Sequence, residues 1–335
     1  MKLDKFYYLS YEKRLEDFIC FKFNNRSICR LIHYVLFPYA ILCGSIAIFI
    51  GKYIKLNLNK KKKKNSIAIT AIAKNEADYI AEWVIFHKLI GVDHIYLYDN
   101  DSTDNMKQKI QPLIDEGFVT LIPIHGSKKQ LIAYNHSLQK YGNLYRYMAF
   151  IDCDEFIMPL QNRKLIDIID YILSKDKNAG GIAVNWCMYG SSGYKVKPLG
   201  LLTENFVCHS KPCNGKGNDC IKSIVIPDCV KKFASPHYPI FKIGFYNIDV
   251  FNRPVFSWRN ILREYQYLRI NHYFTKSLDQ WIKRRALGKA DLGIDDKRTI
   301  DEFYAHDNND VYEAFPKQYS DAIKKMFDKY NIKQI

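Results

Sequence analysis

The chain has 335 residues, 48% apolar and 15% aromatic, enough for one large domain or two ordinary ones. Its net charge of +15 is uneven: residues 1–65 carry 14 Lys and Arg against 4 Asp and Glu, the rest 36 against 31. The body of the chain is therefore not a basic nucleic-acid-binding surface, and nine cysteines without a CxxC pair exclude the common zinc-finger spacings.

The longest uncharged run is Leu31–Gly51, 21 residues between Arg30 and Lys52. At ~1.5 Å rise per residue such a helix just reaches across a hydrocarbon core of about 30 Å. His33 and Pro38 interrupt it, so it reads either as an imperfect span or as an interfacial hairpin broken at Pro38. Residues 1–65 are expected to form a basic, membrane-associating helical segment. Cations flank the run on both sides; the positive-inside rule slightly favours a cytoplasmic carboxyl-terminal domain, and Lys60–Lys64 suits an anionic membrane surface. Cys208, Cys213, Cys220 and Cys229 are expected as free thiols in a reducing compartment, or as disulfide candidates in a secretory lumen.

From residue 66 the pattern changes. Ser66–Ala73 is a short apolar, β-branched run with the composition of a buried strand. A helix follows over residues 77–90, with Asn75 as its N-cap and Gly91 at its far end. His94–Tyr98 is the next strand, and the short crossover implies parallel pairing. A helix over 105–116, a strand over 118–124, a helix over 128–141 and a strand at Met148–Ile151 complete half of a doubly wound, mostly parallel α/β sheet. Basic amphipathic helices over 277–290 and 319–330 present faces that suit either solvent or a membrane.

Two of the strand ends are acidic. The second strand runs into Asp99-Asn100-Asp101-Ser102-Thr103-Asp104, and the fourth stops at Asp152, Asp154 and Glu155. Carboxylates there are costly unless solvated, hydrogen-bonded or bound to a cation. The crevice beyond the carboxyl ends of such strands is where open α/β sheets bind ligands, and an Asp-x-Asp offers hard oxygen ligands to Mg²⁺ or Mn²⁺. Taken alone, the same aspartates also read as loop caps. No GxGxxG or GxxxxGK[ST] occurs, which disfavours a dinucleotide oxidoreductase or a P-loop NTPase.

Several segments together resemble glycosyltransferase family 92 and its bacterial family 2-like relatives: Lys74-Asn75-Glu76, Glu82-Trp83 with His87, the Tyr98–Asp104 loop, and Phe150-Ile151-Asp152-Cys153-Asp154-Glu155-Phe156. The likeness continues through Asn185–Gly193, Lys222-Ser223-Ile224 and Asn271–Ser277, over about residues 66–290; the Cys208–Cys220 stretch departs from it. The resemblance implies a GT-A fold and transfer of a sugar from a nucleotide-sugar donor, UDP-linked, to a hydroxyl of a glycan or glycolipid in surface polysaccharide synthesis, with inversion. It divides the chain into the membrane segment 1–65, a donor half 66–160, an acceptor half 161–290 and a helical tail 291–335.

Site residues follow from that resemblance. Asp152 and Asp154 would hold Mn²⁺ or Mg²⁺, completed by His272, with His237 the rival; His272 equally reads as a structural histidine. Asn75, Glu76, Asp99 and Asp101 would line the nucleotide, and Lys222 would meet the diphosphate or remain solvated. Trp186 and Tyr189 would stack on the acceptor, against a competing place for Trp186 in the core. Glu204, then Asp219, are the candidates for the base that deprotonates the acceptor hydroxyl. The competing functions are a nucleotidyltransferase and a non-catalytic membrane- or nucleic-acid-binding module.

Overall fold

The amino-terminal half is a run of parallel strands joined by helices. β1 (Asn65–Ala73) is central and covered on both faces, with Ile67, Ala68, Ile69 and Ala71 fully buried, as a parallel strand requires. It is followed by α1 (Ile80–Leu89), β2 (His94–Asp99), α2 (Met106–Asp115), β3 (Val119–Pro123), α3 (Gln130–Tyr141) and β4 (Tyr145–Phe150). β1 pairs in parallel with β2 and β4, and β2 with β3, so four carboxyl ends share one edge. The computed structural model describes residues 65–161, 163–211, 215–242, 244–260, 265–285 and 299–333. The expected membrane segment thus lies outside the described residues, all but Asn65. Among the described residues no helix is long and apolar enough to cross a membrane.

The second half adds β5 (Glu155–Pro159), α4 (Leu165–Leu173), β6 (Ala179–Met188), the one-turn α5 (Leu202–Asn205), β7 (Cys208–His209) and β8 (Ile221–Val225). Next come β9 (Val230–Phe233), β10 (Pro239–Phe241), β11 (Tyr246–Ile248), β12 (Pro254–Val255) and β13 (Leu268–His272). The described chain then has α6 (Leu278–Arg285), α7 (Ile300–His306), β14 (Val311–Tyr312) and α8 (Lys317–Lys329). The main sheet runs β12-β11-β6-β8-β4-β1-β2-β3. It is parallel over β4-β1-β2-β3, but β8 enters antiparallel to both β4 and β6, so the whole is a mixed α/β sheet.

Two registers decide what reaches the site. Phe150 on β4 sits opposite Ser223 on β8, which brings Lys222 alongside the first carboxylate after β4. β13 pairs antiparallel with β5 and parallel with the end of β6, setting His272 opposite Glu155 and Met188.

Three expectations change. α1 starts at Ile80, not at Ala77, and Asn75 is not its cap: Tyr79 is, without a side-chain cap bond. Asn75 is instead spent on the neighbouring loop, described below. The helix over 319–330 does not offer its apolar face to a membrane, because Ile323 and Phe327 are buried and the helix packs on α1. Phe86 of α1 meets Phe315 and Tyr319 at ring-centroid distances of 5.7 and 5.5 Å. Cys208, Cys220 and Cys229 form no disulfide among the described residues; Cys213 falls outside them.

Candidate active site

The sequence motifs around α1 prove to be scaffold. Trp83 Nε1 donates to the Glu155 carbonyl at 2.7 Å, and His87 bridges Trp83 O (2.8 Å, from Nδ1) and the Ile157 amide (3.2 Å, at Nε2). Burial lowers the His87 pKa to about 3, so the ring stays neutral and keeps both roles. Glu82 accepts from the amides of Leu202 and Thr203 and from the Thr203 hydroxyl, at 2.6, 3.0 and 2.7 Å. It thereby caps α5, and burial raises its pKa to about 7. These residues fix β5 and hence the loop that carries the carboxylates.

Asp152 and Asp154 leave β4 in different directions. Asp152 Oδ1 accepts from Gln130 Nε2 (2.6 Å) and Tyr134 OH (3.3 Å), and Oδ2 from Lys222 Nζ (2.9 Å). Lys222 is 1% exposed and lies 3.7 Å from Glu155 Oε2. Its expected place on a bound diphosphate is not what the structure shows: the ammonium is enclosed between two carboxyls. Burial opposes that charge, but Asp152 and Glu155 outweigh burial and hold the Lys222 pKa well above the usual range. Burial pushes the Glu155 carboxyl well up against the pull of Lys222.

Asp154 belongs to a second group. Both Nη atoms of Arg284 donate to its Oδ2 at 3.1 Å, and His272 Nε2 lies 3.5 Å from its Oδ1. Burial works against the charge, yet Arg284 and then His272 hold the Asp154 pKa well below the usual carboxylate range. His272 Nδ1 is buried without a hydrogen-bond partner among the described residues. Glu76 pairs with Lys276 at 3.5 Å close by. Asp152 and Asp154 are thus paired with different cations, and among the described residues no group of three or more His, Cys, Asp or Glu is placed to hold a metal ion. His237 lies against Trp186, at 5.1 Å between ring centroids, with Nδ1 donating to Ile221 O at 3.0 Å, and desolvation with the nearby Lys222 charge lowers its pKa to about 3.

The expected nucleotide wall is a set of interlocked loops. Asn75 Oδ1 accepts from Thr103 N (2.7 Å) and Asp104 N (3.3 Å), tying the end of β1 to the end of β2. Asp99 Oδ1 accepts from Ser102 N at 3.1 Å, and Asp101 meets Gly126 N at 2.9 Å and His125 Nδ1 at 2.6 Å. Asn100 donates to the carbonyls of Ile124 and Gly126. Asn75, Asp101, Lys128 and Lys276 all have left-handed backbone, with φ of 57, 57, 57 and 54°. Such conformations cost energy in non-glycine residues and collect at ligand sites; here they fall in the loops that follow β1, β2, β3 and β13.

A cleft of about 400 Å³, lined by Trp186, Asp219 and Phe274 among others, lies beside the Asp154–His272 pair. The His272 ring meets Trp186 at 4.2 Å and Phe274 at 5.4 Å between centroids, so the two places share a wall. Asp219 lies 3.6 Å from Arg259 Nε. Glu204 is not brought here: it pairs with Lys324 of α8 at 2.6 Å, on the outer side of α5. Tyr189 is not available for stacking on a ligand either. It is 3% exposed, its hydroxyl takes a bond from Arg269 at 3.1 Å, and its ring packs on Tyr273 and His209.

Arg284, Lys276, Gln130 and Tyr134 were given no role from the sequence, and Glu155 was noted only as part of the acidic strand end. For Arg284 the signal existed: Gln280 and Arg284 stand one turn apart beside Trp281, which is a face turned inward.

Comparison with known proteins agrees with this picture. The family model described as glycosyltransferase family 92 matches residues 66–284. A family 92 protein of Ricinus communis is 28% identical over 148 residues, covering 44% of this chain and 27% of the relative. One of Oryza sativa subsp. japonica is 25% identical over 177 residues, covering 52% and 29%. The chain spans less than a third of the length of these curated relatives. Among solved structures, S. aureus TarS in complex with UDP gives a TM-score of 0.32 at 13% identity, covering 48% of this chain and 47% of that one. Glucosyl-3-phosphoglycerate synthase of Mycobacterium tuberculosis, with Mn²⁺, UDP and phosphoglyceric acid, gives 0.25 at 16% identity, covering 37% and 44%. Both scores are too low to carry the fold, which rests on the strand order itself. The family match, extending over about two thirds of the sequence, is decisive: the chain belongs to glycosyltransferase family 92.

Proposed function

We propose that this chain is a GT-A-type glycosyltransferase that moves a sugar from a nucleotide-sugar donor, UDP-linked, to a hydroxyl of a glycan or glycolipid at a membrane surface, inverting the anomeric centre. The observation that carries this reading is the meeting of Asp154, His272 and Arg284 at the carboxyl end of β4, beside the locked loops that end β1 and β2. Nucleoside diphosphates are anionic leaving groups, and Arg284 and Lys276 supply cations at that edge. Arg284 also keeps Asp154 ionised and aimed.

A divalent ion suits the second carboxylate better than the first. Asp154 Oδ1 and His272 Nε2 are 3.5 Å apart, close to the ~3 Å between neighbouring ligands of an octahedral Mg²⁺ or Mn²⁺. A hard oxygen and an imidazole nitrogen are a compatible donor pair, and such ions take their other ligands from water and substrate phosphate. Bound there, the ion would neutralise charge developing on the diphosphate. Asp152 has the different task of holding Lys222.

The acceptor enters the Trp186–Phe274 cleft. Asp219, which lines it, takes the role of base in place of Glu204, accepting the hydroxyl proton as the sugar is attacked; such a group contributes roughly 10²–10⁴-fold. The test is release of nucleoside diphosphate from a panel of nucleotide sugars by the full chain, with Mn²⁺ or Mg²⁺. Turnover of one donor supports the proposal; inertness toward all of them, in folded protein, contradicts it.

A further inference from the structure

Among the described residues, the charged side chains that line the cleft beside Trp186 are more basic than acidic. Trp186 Nε1 and Arg259 Nε are both shut from solvent and make no hydrogen bond among the described residues, although Asp219 Oδ2 stands 3.6 Å from the latter. Lys216 is exposed and has no ion-pair partner among the described residues. An indole N–H, a guanidinium and an ammonium donate and never accept. Against them the lining offers one carboxylate, Asp219, already facing Arg259. His306 adds no acid: its Nδ1 donates to Glu302 O at 2.8 Å, and burial lowers its pKa.

The charged side chains of the lining are two cations, Lys216 and Arg259, against one acid, Asp219, so a ligand that brings negative charge and acceptor oxygens to this wall is favoured over one that does not. A neutral sugar hydroxyl satisfies one donor at a time. A carboxylate or phosphate brings two or three acceptor oxygens and a charge that Lys216 and Arg259 answer. The Trp186 and Phe274 rings give a sugar face something to lie against.

We propose that this cleft binds a sugar carrying an anionic group, a carboxylate or a phosphate, and so that the acceptor is an acidic glycan. The second clause rests on the glycosyltransferase reading; the first does not. The arrangement also explains why a cleft containing Asp219 is not anion-repelling: Arg259 balances that carboxylate and Lys216 remains over.

Isothermal titration of the full chain with methyl glucuronide, methyl glucoside 6-phosphate and methyl glucoside tests this directly. Tighter binding of one or both acidic probes than of the neutral glycoside is expected, and which one binds tells carboxylate from phosphate. Lys216→Gln, at an exposed position that leaves the fold alone, should weaken the acidic probes about fivefold and leave the neutral one unchanged. Arg259→Gln should act in the same sense, although Arg259 also stacks on Trp258 at 4.0 Å. Equal binding of neutral and acidic probes, no binding of acidic probes at millimolar concentration, or an unchanged preference in Lys216→Gln would overturn the proposal. Hydrolysis of a nucleotide sugar, followed separately on the same protein, tells failure of the glycosyltransferase reading from failure of this one.

Discussion

Arg284 reaches across from α6 to place both of its Nη atoms on one oxygen of Asp154, at 3.1 Å each. A basic helix that sequence leaves on the surface thus closes the carboxylate cluster of a strand 130 residues earlier. Charge-assisted, paired hydrogen bonds of this kind are among the stronger ones in proteins.

Removing Arg284 should show first in the pH profile. Arg284 and His272 hold the Asp154 pKa below its ordinary value, so the carboxylate stays charged well into the acid range. Without the guanidinium, burial acts less opposed and the pKa rises. The acid limb of kcat/KM in Arg284→Gln should therefore move to higher pH, and Arg284→Lys should restore part of it. A limb that stays in place would show that Asp154 is not the group being titrated.

Asp152→Asn should be a stability variant before it is an activity variant. It leaves the Lys222 ammonium enclosed with only Glu155 as a charged partner, at 3.7 Å. Stranding a buried charge costs about 1–3 kcal/mol here, toward the low side because Asp152 is about one-third exposed. Adding Lys222→Met should recover much of the loss in thermal midpoint. Additive losses in the double variant would mean the two side chains do not act as a pair.

The two candidate bases make opposite predictions. Asp219→Asn should lower kcat by at least about 10²-fold with donor KM nearly unchanged. Glu204→Gln breaks a surface pair with Lys324 worth about 0.2–1 kcal/mol and should leave turnover alone. A large kcat loss in Glu204→Gln would return the role to α5.

His87 gives the fold a dependence on acid. Its pKa is about 3 when folded and about 6.5 when unfolded, so the unfolded state binds the extra proton between those values. Stability is whole above pH 6.5 and falls as pH drops toward 3, by up to about 1.4 kcal/mol per pH unit for this one group. His237 acts in the same direction. Glu82, raised to about 7, acts in the opposite sense between pH 7 and 4.5, where the native state holds the extra proton. The window from pH 4.5 to 3 is free of the Glu82 contribution, and the carboxylates held low there, Asp154 and Glu313 among them, contribute alike to parent and variant. Chemical denaturation there should give a shallower slope for His87→Gln than for the parent chain.

The parallel half of the fold was legible because buried parallel strands are written as unbroken apolar runs. Ser66–Ala73 and Met148–Ile151 are such runs, and their abrupt acidic ends located Asp152 and Asp154. What stayed hidden depended on partners far along the chain. Lys222 reads as any lysine until β8 is known to lie antiparallel to β4, which buries it beside Asp152. Tyr189 and Trp186 are three residues apart, yet one is core and the other lines the cleft, a difference set by Arg269 and Tyr273. Asn75 looked like a helix cap because its residue type suits one; the loop after β2 claims it instead.

The most direct test is nucleoside diphosphate release by Asp154→Asn. This exchange keeps the shape of the side chain and removes the charge on which Arg284 and His272 converge. With circular dichroism and thermal midpoint close to those of the parent, turnover of the nucleotide-sugar donor in Mn²⁺ or Mg²⁺ should fall by at least about 10²-fold. Near-parental turnover in the folded variant would contradict the assignment of this cluster to the donor diphosphate.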